Sequence, residues 1–599
     1  MTMGQDRCYY TGDKMKHILT WLNNNGHYIG KVIIYGLIII PAIITLLFVI
    51  RNGVNAVVGD SWFFVRLFDK LYSGNLTIAD MFAQQNEHRV MLPRVIMLTI
   101  GTITQYNIKY EMYCNWGFIL LSAIVLYRIF KITPALSRMS IAWFIPVTWL
   151  MFTLRSVDNF LTGNHMVYFL VVLCFLLSVY FLQICRGTDW RLGAAILSAL
   201  AGSFTLANGL LIWPIGFLQL LLVGRSKPHG ERHSYIVAAA IWLLIAITTF
   251  IVYFATFQNT EHVAQQPLES FVYWLAALGN AFYSYPDGAI AIGGILLILF
   301  ACVGVVIFFD SKNRPDNVPF LALMAFSCAT LMMLVLGRPE FSVMSRKYII
   351  IGIIGVVGLY FALLSLKLKF LNPDSLVFKS VIILMLLLIF VENRNLFNGG
   401  GGPKLTLDRQ LIQYYTTTYQ LQSDETLSKA ECQPFAVRYG SQTLQKYKLN
   451  VFSQPVLSLK DLKKADKETV CIIESVNGSA LKEGEVSTVN IAEEDKSIII
   501  RGWAVDTKND TAAGGVILDI DGKIELPAYY GIPRQDVAEY HNNRNYTYSG
   551  FYASIAASTL GPGPHTISIK VISADKKDYY RIAQTLALDL NQQSALILR

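Results

Sequence analysis

Long apolar runs alternate with short basic loops through the first two thirds of the chain. The first run, Ile33 to Ile50, is too long and too far from the N-terminus for a secretory signal segment. No small-residue cleavage site follows it, so it reads as an uncleaved first span. Runs of about span length follow at 113–130, 140–154, 165–185, 192–207, 209–223, 234–257, 287–309, 318–336, 347–366 and 376–391. The pattern predicts a polytopic α-helical membrane protein with about eleven transmembrane helices. The tightest connection, Asn208-Gly209, separates two neighbouring runs.

Basic residues in the short loops set the orientation. Arg7, Lys14, Lys16 and Lys31 precede the first span. Arg128, Lys131 and Arg138, then Arg186 and Arg191, then Arg225, Lys227 and Arg232, then Lys312 and Arg314, then Lys367, Lys369 and Lys379 fall on that same side if the spans alternate. That side is expected to be the cytoplasm, with the C-terminus outside. The expected organisation is a cytoplasmic tail over 1–32, a transmembrane domain over 33–395 with an outside first loop at 51–112, a mixed region over 396–480, and a β-module over 481–599.

The first loop carries Trp62, Phe63, Leu67, Phe68, Leu71 and Tyr72 at helical spacing. Two readings fit: a helix lying in the membrane interface, or a packed helix of a small outside domain. Gly399 to Pro403 marks a break. Strand-like alternation then appears at Ser497–Val505, Gly515–Gly522 and His565–Val571, with Asp521-Gly522 as a hairpin signal. A small β-sandwich follows from these short, evenly spaced strands.

Composition agrees with the hydropathy pattern. Of 599 residues, 54% are hydrophobic and only 15% charged, against about 25% charged in soluble domains. That excludes a cytosolic enzyme and a disordered or fibrous chain. The formal charge of +9 is spread over orienting loops rather than one soluble face, so nucleic acid is not an expected partner. Among eight cysteines, Cys432 and Cys471 both fall in the outside region, where an oxidising compartment favours a disulfide between them. No CxxC or His/Cys cluster suggests a metal, and none is expected.

Candidate chemistry gathers in the outside loops. Asp60 follows the first span. Asn86-Glu87-His88-Arg89 lies further along the same loop. Arg155, Asp158 and His165 form a second group, expected to line the substrate cavity. Gly337-Arg338-Pro339-Glu340 and Ser345-Arg346-Lys347-Tyr348 form a third. Charges near hydrocarbon are costly and usually serve a purpose. Arg338, Arg346 and Lys347 suit a phosphate, with Tyr348 beside them. Asp60 or Glu87 suits a general base on an acceptor hydroxyl, with His88 and Arg89 shaping the site. A carboxylate near phosphate-binding cations at the lipid interface fits sugar transfer from a polyprenyl phosphate. Snorkelling charges are the plainer alternative for any single residue.

These features resemble the GT-C superfamily of lipid-linked-sugar glycosyltransferases, whose outside first loop carries an acidic residue soon after the first span; Asp60 stands there. Asn86-Glu87-His88-Arg89, Asn159-Phe160-Leu161-Thr162-Gly163-Asn164, Ala207 to Pro214 and Ser345-Arg346-Lys347-Tyr348 also resemble bacterial surface-polysaccharide membrane proteins. That group is similar in role to the O-antigen-modifying, serotype-converting glucosyltransferases. The resemblance covers about 30–395. It implies an inner-membrane enzyme taking a hexose such as glucose from undecaprenyl phosphate, without a cofactor, to a lipopolysaccharide-type surface glycan in the periplasm. It further implies inversion, with Asp60 activating the acceptor, and a flippase and a donor synthase as partners. No Asp-x-Asp pair accompanies Asp60, which speaks against a metal-dependent version.

The C-terminal module carries Gly502 to Asp506, Tyr530 to Ala538 and Ser549-Gly550-Phe551, and resembles β-modules appended to glycan-processing proteins. Tyr529 and Tyr530 beside Arg534 and Asp536 are its candidate glycan contacts; Trp503 and Phe551 read as core. Two other functions remain open at this level: a lipid-linked glycan transporter, and a non-catalytic glycan-assembly protein.

Overall fold

The structure is a computed structural model and describes residues 6–258, 266–310, 314–337, 340–366, 372–399, 401–455, 458–465, 469–481, 488–491 and 496–590. The chain divides into two compact units. One holds Met1–Gly53, Thr77–Thr99 and Lys109–Lys404; the other holds Val54–Leu76, Ile100–Ile108 and Leu405–Arg599.

The first unit is helical and built for hydrocarbon. Among the described residues, nine helices are long and apolar enough to cross a membrane. They are α1 (Asp6–Asn52), α2 (Ile108–Ile132), α3 (Met166–Ile184), α4 (Ile212–Arg225, entered through the 3₁₀ turn Ala207–Leu211), α5 (His229–Phe254), α6 (Pro286–Phe309), α7 (Arg314–Leu336), α8 (Ile349–Leu366) and α9 (Leu376–Asn398). Two of the eleven expected runs, 140–154 and 192–207, form shorter elements instead.

The first is a 3₁₀ turn, Ile141–Phe144, followed by the helix Ile145–Met151. It runs beside α9: Trp143 meets Phe378, Trp149 meets Phe390, and the Leu154 N–H donates to Asn393 Oδ1 at 2.8 Å. From 378 to 393 α9 rises about 22 Å. The second, Trp190–Ser203, packs chiefly against α3. On α5, the Tyr235 hydroxyl donates to the Cys185 carbonyl at the end of α3 at 2.6 Å, and Phe204, just past the short helix, packs 6.2 Å from Tyr253. Of the eleven runs expected to span, nine are therefore helices of span length among the described residues, and the other two are short elements.

The second unit joins a helical part to a β-sandwich. The helix Ser61–Tyr72 buries Trp62, Phe64, Val65, Leu67 and Phe68. Phe68 lies 4.6 Å from Tyr106, and Tyr72 stacks 5.0 Å from Tyr447. On the same helix Asp69 accepts from the hydroxyls of Tyr439 (2.9 Å) and Tyr447 (3.1 Å) and from Lys446 (3.4 Å). The interface-helix reading therefore gives way to a packed helix, whose apolar face is covered by protein.

The sandwich strands are β1 (Cys471–Val476), β2 (Ser497–Asp506), β3 (Gly515–Ile520), β4 (Ile524–Pro527), β5 (Tyr529–Ile532), β6 (Gly550–Ala556), β7 (Gly563–Ile572) and β8 (Asp578–Leu590). One sheet runs β8-β7-β3-β4, and the other β1-β2-β6-β5, each extended by short edge strands. Asp521 and Gly522, both at positive φ (53° and 66°), make the β3–β4 hairpin turn, as that dipeptide predicts. Alternate residues of the two sheets share one core: Ile473, Ile498, Ile500 and Phe551 from one, Leu518, Ile520, Ile569 and Val571 from the other.

The expected Cys432–Cys471 disulfide is absent. Both thiols are free. Cys471 is buried in the sandwich core, whereas Cys432 is exposed and donates to Glu431 Oε1 at 2.8 Å. Falling in the same region of the sequence did not bring the two sulfurs together.

Candidate functional site

The membrane unit contains a cavity of about 340 Å³ whose wall is mostly apolar: Leu206, Leu210, Phe254, Phe257, Leu331, Met333 and Leu334 among others. Its polar lining is short: Glu87, His88, Tyr168, Asn208, Tyr253, Thr330 and Tyr348. Phe254, Met333 and Leu336 at its edge are also exposed. In a membrane-spanning array, such exposed apolar side chains face lipid.

Glu87 reaches the cavity from a tight turn. Gln85 and His88 exchange both backbone hydrogen bonds, at 2.8 and 2.9 Å, and Asn86 takes a φ of 50°. Asparagine tolerates that left-handed backbone better than most residues. Arg89 then ties the turn to the end of α5. It donates from Nε to the Tyr253 carbonyl (2.7 Å), from Nη1 to the Phe82 carbonyl (2.7 Å) and from Nη2 to Thr256 Oγ1 (2.8 Å). The Tyr253 hydroxyl accepts from the Arg89 N–H at 3.2 Å and donates to the Glu87 carbonyl at 3.4 Å. Arg89 is therefore the clamp of the turn, with three nitrogens engaged by protein. Glu87 and His88 sit side by side, His88 Nε2 3.9 Å from Glu87 Oε2.

Asn208 and Thr330 form the opposite polar wall. Asn208 Nδ2 donates to Thr330 Oγ1 at 3.5 Å. Its Oδ1 is buried and has no hydrogen-bond partner among the described residues. In the sequence Asn208 stands out only as half of the tight Asn208-Gly209 turn and within a family-like stretch, and Thr330, Tyr168 and Tyr253 carry no signal. The close turn at Gly209 makes this placement: a Cβ there would lie 1.9 Å from the Gly202 carbonyl oxygen, so only glycine fits.

Tyr348 brings the third sequence cluster to the cavity. The rings of His165, Tyr168 and Tyr348 follow one another at 5.5 and 5.6 Å, edge to face. Lys347 Nζ lies 5.3 Å above the Tyr348 ring, and the Lys347 carbonyl accepts from Asn159 Nδ2 at 3.0 Å. Arg346 is exposed beside it. Arg338 lies outside the described residues.

Other candidates sit elsewhere. Arg155 lines a separate cavity, paired with Glu392. Asp158 is half-buried in the short helix Val157–Leu161 and does not line the Glu87 cavity. Asp60 belongs to the second unit, exposed at the start of the helix Ser61–Tyr72, whose N-terminus its side chain does not cap. In that unit Glu431 first, with Asp60 adding, pushes the Cys432 thiol above its usual range.

In the β-module, the proposed contact residues are engaged with protein. The Tyr530 hydroxyl donates to the Ala504 carbonyl at 2.7 Å and accepts from the Ala513 N–H at 2.8 Å. Tyr529 donates to Gln410 Oε1 at 2.7 Å. Arg534 forms a two-pronged pair with Glu474, both contacts 2.6 Å, and also holds Asp536. The Arg534 guanidinium lowers the Asp536 carboxyl to about 2.

No family model and no curated protein matches the chain. Among solved structures, it is similar to an archaeal oligosaccharyltransferase from Archaeoglobus fulgidus, solved with an inhibitory peptide and a dolichol-phosphate. The identity is 13% and the TM-score 0.40, over 73% of this chain. The chain spans 62% of that protein's length. A likeness this distant transfers no activity.

Proposed function

We propose that the chain is a membrane glycosyltransferase of the GT-C type. It moves a sugar, a hexose such as glucose, from undecaprenyl phosphate to a surface glycan such as O-antigen on the outer face of a bacterial inner membrane. One observation carries this reading: the Glu87–His88 turn borders an apolar cavity in the membrane unit. A polyprenyl-phosphate sugar has that same polarity, an apolar chain joined to a polar head.

The reaction is a direct displacement with inversion. Glu87 takes the proton of an acceptor hydroxyl as its oxygen attacks the anomeric carbon. The bond from that carbon to the phosphate oxygen breaks, and the polyprenyl phosphate leaves with the electron pair. Lys347, with Arg346, is the cation for the leaving phosphate. Asn208 and Thr330 hydrogen-bond sugar hydroxyls, and Tyr168 and Tyr348 offer ring faces to the pyranose. Asp60 is the rival base.

The test is transfer of labelled sugar from a polyprenyl-phosphate donor in proteoliposomes. Glu87→Gln is expected to lose about 10²- to 10⁴-fold in turnover while Asp60→Asn retains it. Full activity in Glu87→Gln with loss in Asp60→Asn moves the base to Asp60. A wild type inactive with every donor overturns the transferase reading.

A further inference from the structure

A second, unassigned feature of the membrane unit is a groove along α9. Two adjacent cavities, of about 360 and 240 Å³, share Leu150, Val381 and Met385 in their linings. The walls are apolar: Ile292, Ile353, Leu384 and Leu388 in the outer part. Val377, Leu384 and Leu388 of α9 are more than half exposed, so the groove opens sideways to hydrocarbon. Along α9 the outer cavity runs from Val381 to Glu392. Eleven residues rise about 16 Å, close to half of a hydrocarbon core about 30 Å thick. That is the depth of one leaflet.

The groove ends on two opposite charges. Arg155 is buried, 7% exposed, and its Nη1 pairs with Glu392 Oε1. Nη2 donates to the Asn280 carbonyl (3.0 Å) and to Ser284 Oγ (3.1 Å). Nε has no hydrogen-bond partner among the described residues. Glu392, 36% exposed, is the outer member. We infer that this groove binds a zwitterionic phospholipid of the phosphatidylethanolamine class, one acyl chain in the groove, its phosphate toward Arg155 and its ammonium on Glu392. Charge complementarity selects this occupant. A purely anionic head meets the Glu392 carboxylate, and a choline head offers it no N–H donor. The site is distinct from the Glu87 cavity and does not depend on the transferase reading.

The full-length protein in nanodiscs of equal parts phosphatidylethanolamine, phosphatidylglycerol and phosphatidylcholine tests this, with retained lipid counted by native mass spectrometry. Wild type is expected to retain phosphatidylethanolamine about tenfold over either competitor, the scale of one hydrogen bond to a charged group. Glu392→Gln should bring that ratio near one. Met385→Trp, which fills the shared stretch of the groove, should lower retention of all three lipids while the thermal transition is kept. Retention in proportion to the bulk mixture, or enrichment of the anionic lipid, overturns the proposal, as does a Glu392→Gln protein with the wild-type preference.

Discussion

The Glu87 cavity and the β-module treat polar side chains in opposite ways. In the module, polar groups meet one another. Asp506 is fully buried yet accepts from the Ala574 N–H (2.8 Å), Asn509 Nδ2 (2.7 Å) and the Tyr580 hydroxyl (3.1 Å). Tyr530 and Arg534 are likewise consumed by backbone and carboxylate. In the membrane unit, Arg89 spends its guanidinium on holding a turn, and the neighbouring Glu87 and His88 line a cavity. The difference teaches where to look for chemistry: polar residues that line a cavity, rather than polar residues enclosed in a packed core.

Substitutions can break this contrast. Gly209→Ala has the largest expected cost to folding. Its Cβ meets a backbone oxygen that cannot swing away, so a loss of about 3 kcal/mol should appear as a lowered thermal midpoint in detergent. Arg89→Lys removes the fork that clamps the turn. A misplaced Glu87 should cost about 10²-fold in sugar transfer with the fold retained; unchanged transfer would detach Glu87 from the chemistry. Tyr530→Phe strips a donor and an acceptor from the module and should lower its stability by about 1–3 kcal/mol, while leaving transfer by the membrane unit intact.

Acid sharpens the comparison further. The Tyr439 hydroxyl most of all, against some burial and with Tyr447 and Lys446, holds Asp69 below its ordinary range. Burial pushes Asp506 up, but its hydrogen bonds outweigh that and hold it low. Asp536 titrates at about 2 because of Arg534. Carboxyls depressed in the folded state stabilise it fully above their unfolded range near pH 4, and that contribution is lost as pH falls through the folded values. The calorimetric transition of the second unit is therefore expected to drop between about pH 4 and 2, more than that of the membrane unit. Glu111 gives the smallest effect. Both its carboxylate oxygens are buried and lack a hydrogen-bond partner among the described residues, so Glu111→Gln should be neutral or stabilising in thermal unfolding.

Hydropathy disclosed more of the fold than of the site. It marked the nine long helices of the described residues, because span length and apolar content are local properties, but it also marked 140–154 and 192–207, which fold as short elements. It left the helix at 61–72 undecided, because the same amphipathic face suits lipid or protein; helix Pro434–Lys446, far on in the sequence, is what covers it. It also paired Cys432 with Cys471 by compartment alone, a criterion blind to the sandwich core around one of them.

The sequence by itself determined a membrane-embedded helical unit, a β-module, and a few polar stretches that hydrocarbon makes costly. Only the tertiary structure decided which stretches meet. Glu87 and His88 share a cavity with Asn208 and Tyr348, and Arg155 goes to another groove. The reason is physical: hydropathy and periodicity act over a turn or a span, whereas a cavity is bounded by contacts such as Arg89 to Tyr253, 164 residues apart, and by close approaches such as Gly209 on Gly202, which no local pattern encodes.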